Sequence, residues 1–176
     1  MIKQLNEVST SMLQQVSELI RQLTDDDYSR ALDLLSGNTI AKHVRHVLEM
    51  YDEMLNGVEK EVIDYDARKR NLLIEHNREY TLQFIGELIV KLHVPESDKP
   101  LSLLVNYNTA NESILVDTTL NREICYNIEH AIHHMAIIAI CVRQSFHYIK
   151  LDQNFGVAFS TQNYLKQHVH AHIYTK

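Results

Sequence analysis

The sequence predicts an all-α fold: a four-helix bundle with a small β-hairpin inserted before the last long helix and a short C-terminal helix. Apolar residues recur at steps of three and four along several long stretches, as they do on the buried face of an amphipathic helix. The 176 residues include only 4 glycines and 2 prolines, which leaves little chain for turns. Between Pro95 and about Asn121 the helical period disappears, and this segment predicts the hairpin.

Length and composition predict one domain, residues 1–176. A chain of this length buries roughly 70% of its unfolded surface, enough for a core without disulfides or a structural metal. Any metal ion bound is therefore expected to be functional. The net charge of −6 argues against a nucleic-acid partner, because phosphate contacts need a basic surface.

The chain is expected to be cytoplasmic and to have no membrane partner. Its N-terminus carries no apolar signal segment, and its longest apolar run, residues 135–142, is far shorter than a membrane span of about 20 residues. Cys125 and Cys141 lie on one predicted helix, about 24 Å apart at 1.5 Å per residue. Because a disulfide needs Cα atoms within about 7 Å, both are expected to be reduced and buried.

Two helices are predicted in the first third of the chain. The first ends at the acidic residues 25–27, and the second begins at the capping residue Thr39 and ends near Gly57. The apolar stripe of the first consists of Leu5, Val8, Met12, Val16, Leu19 and Leu23; that of the second consists of Ile40, Val44, Val47, Tyr51 and Leu55.

Two further long helices flank the hairpin. The charged segment 62–70 leads into the third, which Pro95 ends; the fourth, residues 121–146, is apolar almost all round and is expected at the centre of the fold. The hairpin strands are residues 101–107 and 113–119. Ser160 or Thr161 is expected to cap a short last helix through Tyr164 and Leu165. The apolar face of the third helix consists of Leu73, Tyr80, Phe84, Leu88 and Leu92.

Histidine is over-represented, at 11 of 176 residues, and its distribution predicts a metal site. His130 and His134 are four residues apart, so they lie one above the other on one helix face, where two imidazoles can bind one ion. In this apolar helix, imidazoles need partners, which a metal would supply. The second helix carries His43 and His46, and helical bundles build metal sites from facing helices. Periodicity favours His43 as the third ligand, because it lies nearer the apolar stripe.

Four segments of the chain, in this order, resemble those of one protein family. They are Thr39-Ile-Ala-Lys-His-Val-Arg-His46, Asp64-Tyr-Asp-Ala-Arg-Lys-Arg70, Asn121-Arg-Glu followed by His130-Ala-Ile-His-His134, and Phe155-Gly-Val-Ala-Phe-Ser-Thr161. Together they resemble the DinB-like superfamily. The resemblance implies a four-helix bundle, often dimeric, that holds one divalent metal (Zn, Ni or Mn) through His46, His130 and His134. We follow it over the periodicity, since a ligand at the edge of the stripe can face a cleft.

The remaining candidates keep two interpretations each. His43 and His133 are either alternative ligands or partners of the ligands, or else hydrogen-bonded histidines without a role at the metal. The residues Asp64, Asp66, Arg68 and Arg70 either line the mouth of a pocket for an anionic substrate or form a solvated helix start. The alternating residues His168, His170 and His172 are expected to lie on an exposed tail.

The resemblance implies a divalent-metal-dependent enzyme that activates a thiol or water nucleophile, because characterised members include thiol transferases and thiol-dependent isomerases, while others are described as hydrolases. Its partners would be a small-molecule substrate, with or without a low-molecular-weight thiol, and a second copy of the chain. Two alternatives stay open. The chain is either a non-catalytic, dimeric stress protein that binds a metal or a small molecule, or a bundle whose histidines are simply packed.

Overall fold

A computed structural model describes residues 1–107 and 112–173, with side chains described up to residue 168. The chain is mostly helical, with one small sheet. The helices are α1 (Ile2–Gln22), α2 (Asp25–Ser29), α3 (Ile40–Lys60), α4 (Leu73–His76), α5 (Arg78–Leu92), α6 (Leu120–Ser145) and α7 (Phe159–Ile173); the strands are β1 (Val62–Ile63), β2 (Pro100–Val105) and β3 (Ile114–Thr119). A 3₁₀ turn spans Asp33–Leu35.

The hydrophobic core lies between four long helices. Helix α3 packs against α5 and α6, and α1 packs against the same two helices. Most of the predicted apolar stripes of α1 and α3 are buried, as the helical period requires. The most deeply buried side chains of these helices include Leu13, Leu19, Ile20, Ile40, Leu48, Tyr51, Met54, Ile85, Leu88, Ile124 and Ile138.

The predicted hairpin is present, but it belongs to a sheet of three strands within the described residues. Strand β2 pairs antiparallel with β3, from Pro100 opposite Thr119 to Val105 opposite Ile114. Strand β1 pairs parallel with β2, with Val62 opposite Ser102. The all-α prediction is therefore only roughly right, because two residues are too short to show a period. The predicted turn falls mostly on residues 108–111, which lie outside the described residues.

The sequence predicted that the second helix ends near Gly57, but the helix continues past this residue. Helix α3 continues to Lys60, and Glu61 ends it with a left-handed φ of 59°. A Cβ atom at Gly57 would lie 2.6 Å from Cγ1 of Ile63 and 2.8 Å from the carbonyl oxygen of Val62. The missing side chain thus lets strand β1 rest directly on the helix.

The predicted third helix is divided into two. Asn77 adopts an extended conformation between α4 and α5, and its side chain accepts a hydrogen bond from the backbone N–H of Tyr80. This cap begins α5. Leu73 is consequently 57% exposed rather than part of the apolar face, and Ile74 is buried in its place. The acidic residues expected to end the first helix instead form α2, which the Thr24 side chain caps.

The last two helices differ from the prediction mainly in extent. Helix α6 lies within one residue of its expected bounds, but Ile140 is 58% exposed, so the helix is not buried all round. The cysteines are both free, as expected; Cys141 is buried, but Cys125 is exposed, contrary to prediction. Helix α7 begins at Phe159, before the proposed cap, and is 15 residues long.

None of the described helices is long and apolar enough to cross a membrane.

We expect Gly57→Ala to lower the melting temperature, because the added methyl group meets the backbone of β1. The matched control is Gly86→Ala on α5, where a Cβ meets no atom within 4 Å. That change should stabilise the protein by about 0.5–1 kcal/mol, since alanine is the better helix former. Thermal denaturation of both variants measures the difference. Equal stabilisation by both substitutions would contradict the close approach of β1 to α3.

Candidate metal centre

The packing of α3 against α6 brings three histidines together. One ligand nitrogen from each of His46, His130 and His134 lies within 4.8 Å of the others. Nε2 of His46 is 2.8 Å from Nε2 of His130. The rings of His130 and His134, one helical turn apart on α6, have centroids 4.7 Å apart. These are the three residues that the resemblance selects, and they form a group that could hold a metal ion.

The closest pair of nitrogens and the protonation of this group fit a divalent ion. Two imidazole nitrogens, each about 2.0–2.1 Å from one ion, are at most about 4.2 Å apart, and the 2.8 Å pair lies well inside that limit. Burial, with smaller effects of the neighbouring histidines and, for His46, of Arg68 and Arg45, lowers the pKa of His46 to about 4 and that of His134 to about 3. Burial also lowers the pKa of His130. All three rings are therefore neutral at pH 7 and have a lone pair to offer.

His43, which periodicity favoured, lies outside this group of ligand atoms among the described residues. Its Nδ1 is 2.9 Å from Nδ1 of His134, so one ring donates a hydrogen bond to the other. This contact occupies Nδ1 of His134 and leaves its Nε2 for an ion. Metal-binding histidines commonly use their second ring nitrogen in this way, which fixes the orientation of the ring. His133 is exposed, with its ring centroid 5.4 Å from that of His134.

The half-buried imidazoles have partners in one another as well. His46 pairs with His130 and His43 with His134 through short nitrogen–nitrogen contacts. The sequence suggested that a metal would supply the partners that imidazoles need in this apolar helix. The structure shows that other imidazoles supply them as well. Each of these four imidazoles thus has a hydrogen-bond partner within the protein.

Arg68 contacts the histidine group from the loop after β1. Its Nη2 is 3.2 Å from Nδ1 of His46, and its Nη1 donates a 2.6 Å hydrogen bond to the carbonyl oxygen of Tyr65. Because arginine has no acceptor, Nδ1 of His46 accepts this bond, and the ring proton then lies on Nε2. An ion held by Nε2 of His46 would require that proton to move to Nδ1 and the guanidinium to turn away.

A buried carboxylate on α3 holds the arginines beside the histidines. Glu49 is 3% exposed; its Oε1 lies 3.4 Å from Nε of Arg45 and accepts a 2.7 Å hydrogen bond from the N–H of Asn71. Its Oε2 lies 3.6 Å from Nε of Arg68. Arg45 also pairs with Glu75 at 2.7 Å. One carboxylate thus ties the loop after β1 to the helix that carries His46.

A second buried carboxylate anchors the start of this loop. Glu123 is fully buried on α6 and accepts hydrogen bonds from the hydroxyls of Tyr65, at 2.9 Å, and Thr118, at 2.6 Å. Asn127 donates to the Tyr65 hydroxyl at 2.8 Å. Burial and the neighbouring carboxylate both raise the pKa of Tyr65, which stays protonated. Sequence reasoning gave no role to Glu49 or Glu123, although each lies on a helix that carries these histidines: three residues after His46, and seven before His130.

A cavity of about 680 Å³ opens beside the histidine group. Arg68 and Arg70 line it, which fits the pocket-mouth interpretation, whereas Asp64 and Asp66 are not among its lining residues. Asp64 instead caps a local turn by accepting bonds from the N–H groups of Asp66 and Ala67. The lining consists of Asn38, Lys42, His43, Arg45, His46, Arg68, Arg70, Leu72, Glu75 and His134.

The histidines near the C-terminus are remote from this group in sequence, and His168, whose side chain is described, is not among the residues that line the cavity. His168 is exposed on α7 and stacks on Tyr164, with ring centroids 3.9 Å apart. The side chains of His170 and His172 lie outside the described residues.

Comparisons of the chain with protein-family models, with curated proteins and with solved structures find no match.

We expect the protein to bind one divalent ion per chain and to lose it in His46→Ala, His130→Ala and His134→Ala. The matched control is His133→Ala, which removes an exposed imidazole from the same helix and should leave the metal content unchanged. His43→Ala should weaken binding about 10–100-fold, since partners of ligating histidines typically contribute that much. Elemental analysis and metal titration measure both effects. Equal metal content in wild type and His130→Ala would contradict the site.

Without metal, we expect the free energy of unfolding to decrease as the pH is lowered from about 6.5 to about 3. The folded protein favours neutral His46 and His134, with pKa values of about 4 and 3, whereas the unfolded chain protonates near the ordinary value of 6.5. Stability is therefore fully present above pH 6.5 and is lost as protons bind the unfolded state. Thermal denaturation across this range measures it. His134→Asn should flatten the curve more than His147→Asn, which changes an exposed histidine; identical curves would refute the assignment.

Proposed function

We propose that this protein is a divalent-metal-dependent enzyme that activates a thiol or water nucleophile, in the manner of a thiol transferase or a hydrolase. The observation that carries this proposal is the convergence of three neutral imidazoles beside an open cavity. His46 and His134 line the cavity wall, so a small molecule in the cavity would lie next to the ligand nitrogens. Three histidines also leave coordination positions for a reactant, as catalytic rather than structural sites do.

In this proposal, the residues around the cavity have separate roles in holding the ion and in positioning the side chains beside it. His46, His130 and His134 would hold the ion, and His43 would orient His134 through the contact between their Nδ1 atoms. When bound, a divalent ion supplies positive charge that lowers the pKa of a nearby water or thiol and polarises an electrophile. Glu49 holds Arg45 and Arg68 on the cavity wall, and the loop that carries Arg68 is fixed through Tyr65.

The fold and assembly belong to the same proposal. We propose a four-helix bundle of the DinB type formed by α1, α3, α5 and α6, which is supported by the packing of α1 and of α3 against both α5 and α6. The homodimer rests on the resemblance of the sequence. Analytical ultracentrifugation measures the assembly: a dimer mass supports that part of the proposal, and a monomer at micromolar concentration contradicts it.

Enzyme activity is tested by loading the purified chain with Zn²⁺, Ni²⁺ or Mn²⁺ and screening thiol–electrophile pairs, esters and amides. We expect metal-dependent turnover in wild type and in His133→Ala, and turnover at least about 100-fold lower in His130→Ala, since loss of a catalytic metal removes several kcal/mol of transition-state stabilisation.

Two results of this screen would contradict the proposal. An ion bound at one per chain with no turnover above the His130→Ala rate would favour the non-catalytic metal-binding protein. Wild-type protein that binds none of the three metals would leave only packed histidines.

A further inference from the structure

The cavity beside the histidines is basic, although the chain as a whole carries a net charge of −6. Four cationic side chains line it, against one carboxylate, that of Glu75. The cations are Lys42, Arg45, Arg68 and Arg70. Any ion held by the histidines would add further positive charge. A cavity lined by one sign of charge attracts ligands of the opposite sign, and the effect is stronger in a cleft than on an open surface.

Two of these cations already have anionic partners. Arg45 is 8% exposed and pairs with Glu75 at 2.7 Å and with Glu49 at 3.4 Å. Arg68 pairs with Glu49 at 3.6 Å and donates to the carbonyl of Tyr65. These two guanidinium groups are held in place by the protein and their charge is largely compensated.

The other two cations have no anionic partner within the parts of the chain that the structure describes. The ammonium of Lys42 bonds to the neutral side-chain oxygen of Asn38, at 2.7 Å. Within the described residues, the side chain of Arg70 makes no hydrogen bond or ion pair. The side chains of Lys42 and Arg70 are both exposed. A solvated helix start of the ordinary kind would pair its charges at i, i+4, which neither residue does.

Lys42 and Arg70 come from separate segments but face the same cavity. Lys42 lies four residues before His46, one turn of α3, and so shares its helix face. Arg70 lies two residues after Arg68, in the loop tied to Glu49. Leu72, which is 57% exposed, adds an apolar surface to the wall of this cavity. The cavity of about 680 Å³ has room for a small organic molecule.

We propose that the substrate of the histidine site is a small organic anion, whose carboxylate or phosphate group is bound by Lys42 and Arg70. That the anion is a substrate rests on the proposed function, whereas binding of the anion requires only the side chains of Lys42 and Arg70. Arginine can offer two parallel N–H donors to either group, and lysine adds a point charge.

The test measures binding of succinate, inorganic phosphate and neutral succinamide to the full chain by calorimetry at low ionic strength. Metal-free protein, dialysed free of chelator, is used for all three probes, and zinc-loaded protein for succinate and succinamide. We expect at least one anion to bind and succinamide not to bind. Lys42→Gln and Arg70→Gln should each weaken binding of that anion about tenfold, and the double variant should weaken it further.

The matched control is Lys69→Gln, which removes an exposed cation next to Arg70 that does not line the cavity; its affinity should equal that of wild type. Circular dichroism checks that each variant is folded. Binding of succinate alone identifies a carboxylate site, and binding of phosphate alone a phosphate site. Succinamide binding as tight as that of succinate, or unchanged affinity in Arg70→Gln and Lys42→Gln, would overturn the proposal.

The outcome is separable from that of the proposed function. Anion binding by a chain that takes up no zinc would support the anion site and contradict the metal enzyme. Zinc uptake and turnover without anion binding would overturn the anion site alone.

Discussion

The packing of α3 on α6 is the interaction on which the candidate site depends. The two helices pack against each other, and each carries buried apolar residues, such as Val44 and Leu48 on α3 and Ala131 and Met135 on α6. This contact places imidazoles from both helices within hydrogen-bond distance and removes much of their solvent. Because desolvation disfavours the charged form, the same packing that gathers the histidines also keeps them neutral. The geometry and the protonation of the site therefore have one physical origin.

Much of the helical framework follows from local sequence. The apolar period and the Thr39 cap predicted α3, and a nearly unbroken apolar run predicted α6. Periodicity favoured His43 because it ranks residues by their distance from the middle of the stripe, whereas the three nitrogens that come together include that of His46. Both histidines of α3 contact α6: His46 belongs to the group that could hold an ion, and His43 pairs with His134. Only the ordered resemblance of the four segments selected His46.

The features that the sequence did not predict depend on contacts between distant segments. Strand β1 has no period, and it exists because Gly57 lets it approach α3 while β2 supplies its hydrogen bonds. The break at Asn77 follows from a capping side chain inside an otherwise helical pattern. The contacts of Glu49 with Arg68, and of Glu123 with Tyr65, join residues far apart in the chain. No local pattern of charge indicates which of these partners will meet.

The contact between Arg68 and Nδ1 of His46 links the ligand group to the loop after β1. Uptake of a cation through Nε2 would place a proton where the guanidinium now bonds, and Arg68 would lose one of its three contacts. The released charge would remain tethered by Tyr65 and Glu49, at the wall shared with Arg70. Occupancy of the histidines and the electrostatic field of the cavity would therefore be coupled, because an ion bound there would change the contacts of a cation on the cavity wall.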